Sequence, residues 1–526
     1  QIGNQNIEEA RDYHGATKHS YWSVRSGGHL LDWETKPSLF KLYPTLPVTP
    51  LPRDVEPPDA QALAAVSAFQ AIGNRSLDLG RLAEVLFYCA GLTKKKIYPG
   101  GEEHYFRAAA CTGALYEVEI YVVSSDLPGL AAGVYHFSPA DFALRCLREG
   151  DFRGELARAA AGEEAVSRAP AMLILTAIFW RNAWKYGARA YRHFYWNSGT
   201  IMANLLATTA SASIPARVVL GFIDARVDRL LGIDAEREAS LCLVPLGAHS
   251  PAPDPPEVPP IAPETVPLSK EEVDYPEIRR VRAASMLVSE EEVQAWRAAF
   301  GRPPSPSPPS GGACFPLEPL AEGIDSGRTL GDVILQRGST RRFARTAISF
   351  PQLSTMLDYS TRGVPADFLA GPGTSLLDVY LIANDVEGLP SGAFYFSPSG
   401  RALELLKEGG FRREAGYLCL EQQLGADASV VVFFLADLSR LLDRYGNRGY
   451  AATQLEAGIV GGKIYLCAYA LGLGTTGTTF YDDDVIAFFS PHAQGKSAIF
   501  AVALGRAARV PGRAEPLLPG AHRAGS

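Results

Sequence analysis

The chain has 526 residues, 47% of them hydrophobic and 20% charged, with a formal net charge of -7 and a pI near 5.8. That balance supports ordinary buried cores and offers a nucleic-acid backbone no basic footprint. No apolar segment approaches the roughly 18–20 uncharged residues of a membrane-spanning helix, and the first residues are polar, unlike a secretory signal; neither a membrane nor nucleic acid is an expected partner.

In chain order, 79–92 has the pattern of an amphipathic helix, and Lys94-Lys95-Lys96 reads as a solvated turn. Arg107-Ala108-Ala109-Ala110-Cys111-Thr112-Gly113-Ala114-Leu115-Tyr116 is a loop of small residues directly before a β-branched strand at 117–124. Such a loop is either a tight turn or a place where a flat ligand meets the backbone. A hairpin arm at 135–137, an apolar run of buried-strand length at 171–178, a small-residue helix at 198–213 and a last strand at 241–246 complete the first half. Two proline-rich stretches, 249–267 and 303–312, predict extended spacers. Between them 269–300 is helical in pattern, with Ser289 an N-cap ahead of three glutamates.

The second half repeats the order: a helix at 350–359, strands at 377–384 and 429–435, a helix at 457–472 and a strand at 498–504. The repetition extends to the residues. From 129 to 155, 14 of 27 positions are identical to those 259 residues later, and the same shift aligns Tyr186 with Tyr445 and Gly199 with Gly458. A gap-free register of that length is duplication of a folded unit, with a period far above the roughly 20–50 residues of solenoids and propellers. The expected fold class is α+β, two tandem sandwich domains forming a pseudo-dimer within one chain, with domains at 1–250 and 313–526 and linkers plus a connector helix at 251–312. A subunit interface, with any site on it, then becomes internal to the chain. Seven scattered cysteines without a CxxC pair suggest reduced thiols, a cytoplasmic location and no zinc site.

Two clusters carry chemistry. Arg337-Gly338-Ser339-Thr340-Arg341-Arg342-Phe343 brings three guanidiniums and two hydroxyls together. It could clamp a phosphate by charge-assisted hydrogen bonds, or serve as a charged helix end. Lys185-Tyr186 sits in an aromatic, protonatable stretch and could supply a general base and a proton donor, or lie in a surface loop. Neither a GxGxxG after a strand nor a Walker A sequence is present.

SYWSVRSGGHLLDWETKPSLFKLYP, FYCAGLTKKKIYPGGEEHYFRAAACTGALYEVEIYVV and WKYGARAYRHFYWNSG resemble the SagB-type dehydrogenases, a branch of the FMN-dependent nitroreductase superfamily that includes azoline dehydrogenases. RGSTRRF is similar to the flavin-phosphate segment that opens nitroreductase domains. The resemblance implies FMN between two nitroreductase-like domains. Arg337, Ser339 and Arg341 would hold the phosphate, and Arg506 would reach the phosphate or ribityl chain. Glu456, Ala457 and Gly458 would open a helix facing the flavin N5 side. Arg107, Ala110, Cys111, Thr112, Gly113 and Ala114 would lie against the ring, with Lys185 and Tyr186 removing a proton as hydride leaves the substrate.

The sequence departs from the family in complementary ways. Ala110-Cys111 replaces the family's Pro-Ser, and Glu117 a later Pro. The second half's loop, Ala370-Gly371-Pro372-Gly373-Thr374, is shorter and lacks a counterpart of Arg107; Lys185 becomes Arg444, and the first half has SAFQAIGNRS where RGSTRRF would stand. One composite site therefore keeps both sets of groups and the other lacks both, so one FMN per chain is expected. The implied activity is an FMN-dependent oxidoreductase acting on a peptide-derived heterocycle or related natural-product intermediate, alongside biosynthetic partner enzymes and with the pseudo-dimer complete in a monomer. The alternatives are an NAD(P)H-dependent nitro or quinone reductase and a flavin-free pseudo-enzyme that serves as a binding partner.

Overall fold

The computed structural model describes residues 3–27, 29–98, 100–302, 304–321, 327–508, 514–517 and 519, and in it each half is built on one large antiparallel sheet. The first sheet runs in the order Val48–Pro50, Ala143–Glu149, Gly133–Ser138, Val118–Ser124, Ala171–Ile178, Glu238–Leu246. The second runs Cys314–Pro316, Ala402–Glu408, Gly392–Ser397, Asp378–Ala383, Val430–Ala436, Ser497–Gly505, Gly474–Thr478. The order matches strand for strand except at the last edge. The apolar runs Ala171–Ile178 and Val430–Ala436 are buried along their whole length because helices cover both faces of each sheet. The α+β pseudo-dimer is thus present, and no helix among the described residues is long and apolar enough to cross a membrane.

The seam between the halves is a pair of long helices, Ala190–Ser211 and Asn447–Ala470. Both are buried on nearly every side, which is why their apolar pattern has no polar face. They cross at the duplicated glycine. A Cβ on Gly199 would lie 2.4 Å from the Gly458 carbonyl carbon, and one on Gly458 would lie 2.5 Å from the Trp196 carbonyl oxygen. Any side chain there would push the backbones apart.

Two buried ion pairs cross the seam at positions related by the repeat. Arg448 of the second half holds both oxygens of Asp224 at 2.7 and 2.8 Å, and Arg189 of the first half meets Asp482 at 3.1 Å. The chain ends exchange partners as well. Helix Glu8–Ala16 lies on the second half, with the Ala10 N–H donating to Asn447 at 3.2 Å, while strand Glu515–Pro516 pairs with the first half's Leu92–Ile97.

Three sequence expectations change. Lys94-Lys95-Lys96 is part of strand Leu92–Ile97 rather than a turn, and Lys94 donates to the Gln336 carbonyl at 2.9 Å. The connector is two helices, Pro276–Ala284 and Glu290–Ala299, the second capped by Ser289 as its sequence implies. The proline-rich stretches are clipped to the domains: Arg148 donates to Pro259 O at 2.7 Å, and Ser310 N to Glu404 at 2.6 Å. Of the second stretch, Pro303 lies outside the described residues.

Candidate active site

A cleft of about 770 Å³ opens between the halves, a volume suited to a small-molecule or cofactor site. One wall is the first half's small-residue loop, Ala110 to Gly113, with Lys185 and Tyr186 beside it. The facing wall comes from the second half: Ser339, Arg341, Tyr465, the edge strand Gly474–Thr478 and Phe500. The N-terminal segment roofs it, with Ser23 and Val24 of helix Tyr21–Ser26 in the lining and the His29 Nε2 2.7 Å from the Trp184 carbonyl.

The loop keeps its shape through a buried network. Asn197 Oδ1 accepts from both Thr112 N (3.0 Å) and Thr112 Oγ1 (2.9 Å). Asn197 Nδ2 donates to Glu117 at 2.5 Å, and the Cys111 thiol to the other Glu117 oxygen at 3.4 Å. Burial raises the Glu117 carboxyl above its ordinary range and the Cys111 thiol well above its own. Gly113 has φ +64°, and a Cβ there would sit 2.7 Å from the Tyr186 hydroxyl, so the loop backbone presses directly on Tyr186.

Among the described residues no carboxylate lines the cleft. Arg341 is exposed and makes no hydrogen bond or ion pair with the described residues. Lys185 is held below the usual lysine range by partial desolvation and by the charges of Arg341 and Lys36. The Tyr186 phenol is pushed up by burial, reinforced by Cys111 and Glu117, and so remains protonated. The cleft is cationic at one end and carries a proton donor beside the small-residue loop.

Eight residues expected from sequence meet here: Ala110, Cys111, Thr112, Gly113, Lys185, Tyr186, Ser339 and Arg341. The others lie elsewhere, each for a visible reason. The Arg337 guanidinium donates to the carbonyls of Ala108 (2.8 Å) and Arg107 (3.0 Å), tying the second half to the first behind the loop. Arg107 is buried beneath the loop, donating to Leu39 O at 2.7 Å, and Ala114 lies past the lining. Arg506 is exposed away from the cleft, 3.2 Å from Ala347 O. Glu456, Ala457 and Gly458 open no helix; theirs begins at Asn447, and Glu456 faces its own half's loop. Asn197, Tyr465 and the edge strand were missed. The strand's GTTGT has no apolar alternation to betray it, whereas Asn197 was legible as the counterpart of Glu456.

The surfaces that would form the second composite cleft are covered by the chain itself. Val218, in the position corresponding to the edge strand, exchanges backbone hydrogen bonds with Pro365 (2.8 Å) and Asp367 (3.0 Å). Asp367 also accepts from Leu220 N and Gly221 N, each at 2.8 Å, and Phe368 is fully buried. Tyr445, the counterpart of Tyr186, is stacked under Phe300 of the connector at 3.7 Å.

The sequence profile of the Nitroreductase family matches residues 59–248 and 334–506, one match in each half. A Methanocaldococcus jannaschii protein provisionally named a nitroreductase is 29% identical over 162 residues, covering 30% of this chain and 81% of the relative. A crystal structure of a provisionally named nitroreductase from Anabaena variabilis is 25% identical with a TM-score of 0.74, covering 95% of this chain and 99% of that one. The two-half architecture is therefore shared over almost its whole length.

Proposed function

The chain belongs to the nitroreductase family, and from that premise we propose that it is an FMN-dependent oxidoreductase with one composite flavin site, acting on a peptide-derived heterocycle or related natural-product intermediate. The observation that carries this reading is the open cleft, which joins Ser339 and Arg341 of one copy to the small-residue loop and Lys185-Tyr186 of the other. Families of this kind bind flavin, and the residues present fit one. Arg341, unpartnered among the described residues, and two hydroxyls of the same wall, Ser339 and Thr476, suit a phosphate. A loop without bulky side chains suits a flat ring.

When bound, the flavin supplies two-electron acceptance of hydride. The chain's own residues supply the rest. Asn197 holds the ring-side loop in place through Thr112. The Tyr186 phenol donates a hydrogen bond into the cleft and orients the substrate. Lys185, with its affinity for protons lowered, takes the proton that must leave the substrate's N–H or C–H. The SagB-type likeness of WKYGARAYRHFYWNSG is what favours dehydrogenation of a heterocycle. Cys111 and Glu117, which replace a seryl and a prolyl position of that likeness respectively, hydrogen-bond to hold the loop, which argues against a decayed site.

Reconstitution with FMN should reach a flavin-to-chain ratio near one, because the second cleft is filled by Pro365 to Phe368 and Phe300; a ratio near two contradicts the single site. Lys185→Ala should keep the flavin spectrum while abolishing dehydrogenation. A nitro or quinone reductase remains the second reading, favoured by the names of both relatives. It requires rapid bleaching of the bound flavin by NAD(P)H alone.

A further inference from the structure

His193 lines the cleft between Tyr186 and Trp196, with ring centroids at 4.6 and 4.9 Å, yet neither residue hydrogen-bonds to it. Its Nδ1 lies 2.9 Å from Asn182 Oδ1, and its Nε2 has no hydrogen-bond partner among the described residues. We propose that Glu117, acting through Asn182, holds His193 as the neutral tautomer protonated at Nδ1, so that Nε2 presents a lone pair to the cleft and accepts a hydrogen bond from an N–H or O–H of the substrate.

The tautomer follows from the direction of the hydrogen bonds. The Asn182 amide nitrogen is buried, makes no hydrogen bond of good geometry with the described residues, and lies beside the Glu117 carboxyl, whose charged form it favours. Glu117 accepts at both oxygens, from Asn197 Nδ2 and from the Cys111 thiol, so it draws the NH₂ group of Asn182 towards itself and turns Oδ1 towards the imidazole. An amide oxygen also only accepts. Nδ1 must therefore carry the hydrogen, and Nε2 of a neutral ring is then an acceptor. Glu117 orients Asn197 in the same way: its Nδ2 points to the carboxylate and its Oδ1 to Thr112. One buried carboxylate thus sets both the ring-side loop and the imidazole.

The groups facing the ring keep it uncharged. Burial, with the positive charges of Arg189 and Arg192 and the neighbouring His19, holds the imidazole well below the ordinary histidine range, while Tyr186 is a protonated phenol. The second copy provides an internal control. At the shift of 259, His193, Asn182 and Glu117 correspond to Ala452, Leu441 and Leu376. All three polar groups are replaced by apolar ones in the copy whose cleft is filled, and all three are present where it is open. A merely structural imidazole would have no reason to follow the cleft.

Glu117 and Asn182 are positioning residues; His193 touches the ligand. The inference rests on the reading that a substrate enters this cleft, and its test separates the two. In flavin-loaded chain labelled with [15N]histidine, His193, assigned by comparison with His193→Phe, should show a protonated Nδ1 and an unprotonated Nε2 from about pH 6 to about pH 8. Phenol and toluene, matched in shape and differing in one donor, then serve as probes. Phenol should move the Nε2 resonance and bind roughly fivefold tighter than toluene, the worth of one neutral hydrogen bond, and the difference should vanish in His193→Phe. An Nε2-protonated ring, titration within that window, or phenol and toluene binding alike would overturn the proposal. Failure to load flavin would contradict the oxidoreductase reading instead, and the tautomer measured on the flavin-free chain would still decide this one.

Discussion

Asn197 and Glu456 stand at one position in two copies of the same helix, and each holds the loop of its own half. Asn197 does so with an amide that binds Thr112 on the edge of an open cleft. Glu456 does so with a carboxylate that accepts from Ser375 Oγ (2.6 Å) and Leu376 N (2.8 Å) in a sealed interior. Two turns on, Asn204 and Lys463 repeat the contrast: the amide donates to the carbonyls of Tyr88 and Ala108, the ammonium to Gly363 O at 3.0 Å. Burial pushes the Glu456 carboxyl up to about 7 and the Lys463 amine down to about 8. Duplication thus preserved the task of holding the loop while the surroundings diverged. At these two helix positions the copy with the open cleft carries neutral amides, and the copy whose cleft is filled by Pro365 to Phe368 carries ionisable groups buried at a cost in stability.

The largest expected effect tests how far the seam itself has lost its symmetry. Arg448→Ala leaves Asp224 buried without its guanidinium and should cost about 3–5 kcal/mol in denaturant unfolding. Arg189→Ala should cost clearly less, because Asp482 keeps Arg192 at 2.8 Å and because two of Arg189's own nitrogens are already without partners among the described residues. Equal losses would show that the two ion pairs are still interchangeable.

Next comes the carboxylate itself. With a folded value of about 7 against an ordinary 4.5, native Glu456 binds a proton that the unfolded chain releases. Its penalty is absent below about pH 4.5, grows as pH rises to about 7 and is complete above that, reaching about 3 kcal/mol. Glu456→Gln should therefore leave stability unchanged in acid and raise it by up to that amount at about pH 8, since the amide can still pair with Ser375 and Leu376. A flat difference across pH would mean that the carboxyl is already ionised at little cost.

Much of this was legible in the sequence, and the failures share a cause. The repeat and the apolar strands depend on local pattern, the pairing of RGSTRRF with the opposite half's loop followed from the family resemblance, and Ser339, Arg341, Lys185 and Tyr186 do face one cleft. What sequence could not show was direction. Arg337 and Arg341 are four residues apart in one motif, yet one turns back onto carbonyls at Ala108 and the other reaches the cleft. The filling of the second cleft was equally hidden, because Ala366 and Phe368 become a plug only through contacts with Val218 far along the chain. Edge strand Gly474–Thr478 carries its role in backbone and hydroxyls, which leave no hydrophobic period to read.

The smallest effect discriminates between two arginines that look alike in sequence. Arg341 lines the cleft without a partner among the described residues, whereas Arg506 is exposed outside it and bonded to Ala347 O. If Arg341 recognises the phosphate, Arg341→Ala removes a charge-assisted hydrogen bond of roughly 1.5–3 kcal/mol. FMN affinity should then fall by about one to two orders of magnitude, with riboflavin affinity little changed because it has no phosphate to lose. Arg506→Ala should leave both affinities as they were. Fluorescence titration of the refolded or apo chain with the two flavins measures all four cases. A selective loss of FMN binding in the Arg506 variant would move the phosphate out of the open cleft, and with it the distinction between the two halves on which the single site depends.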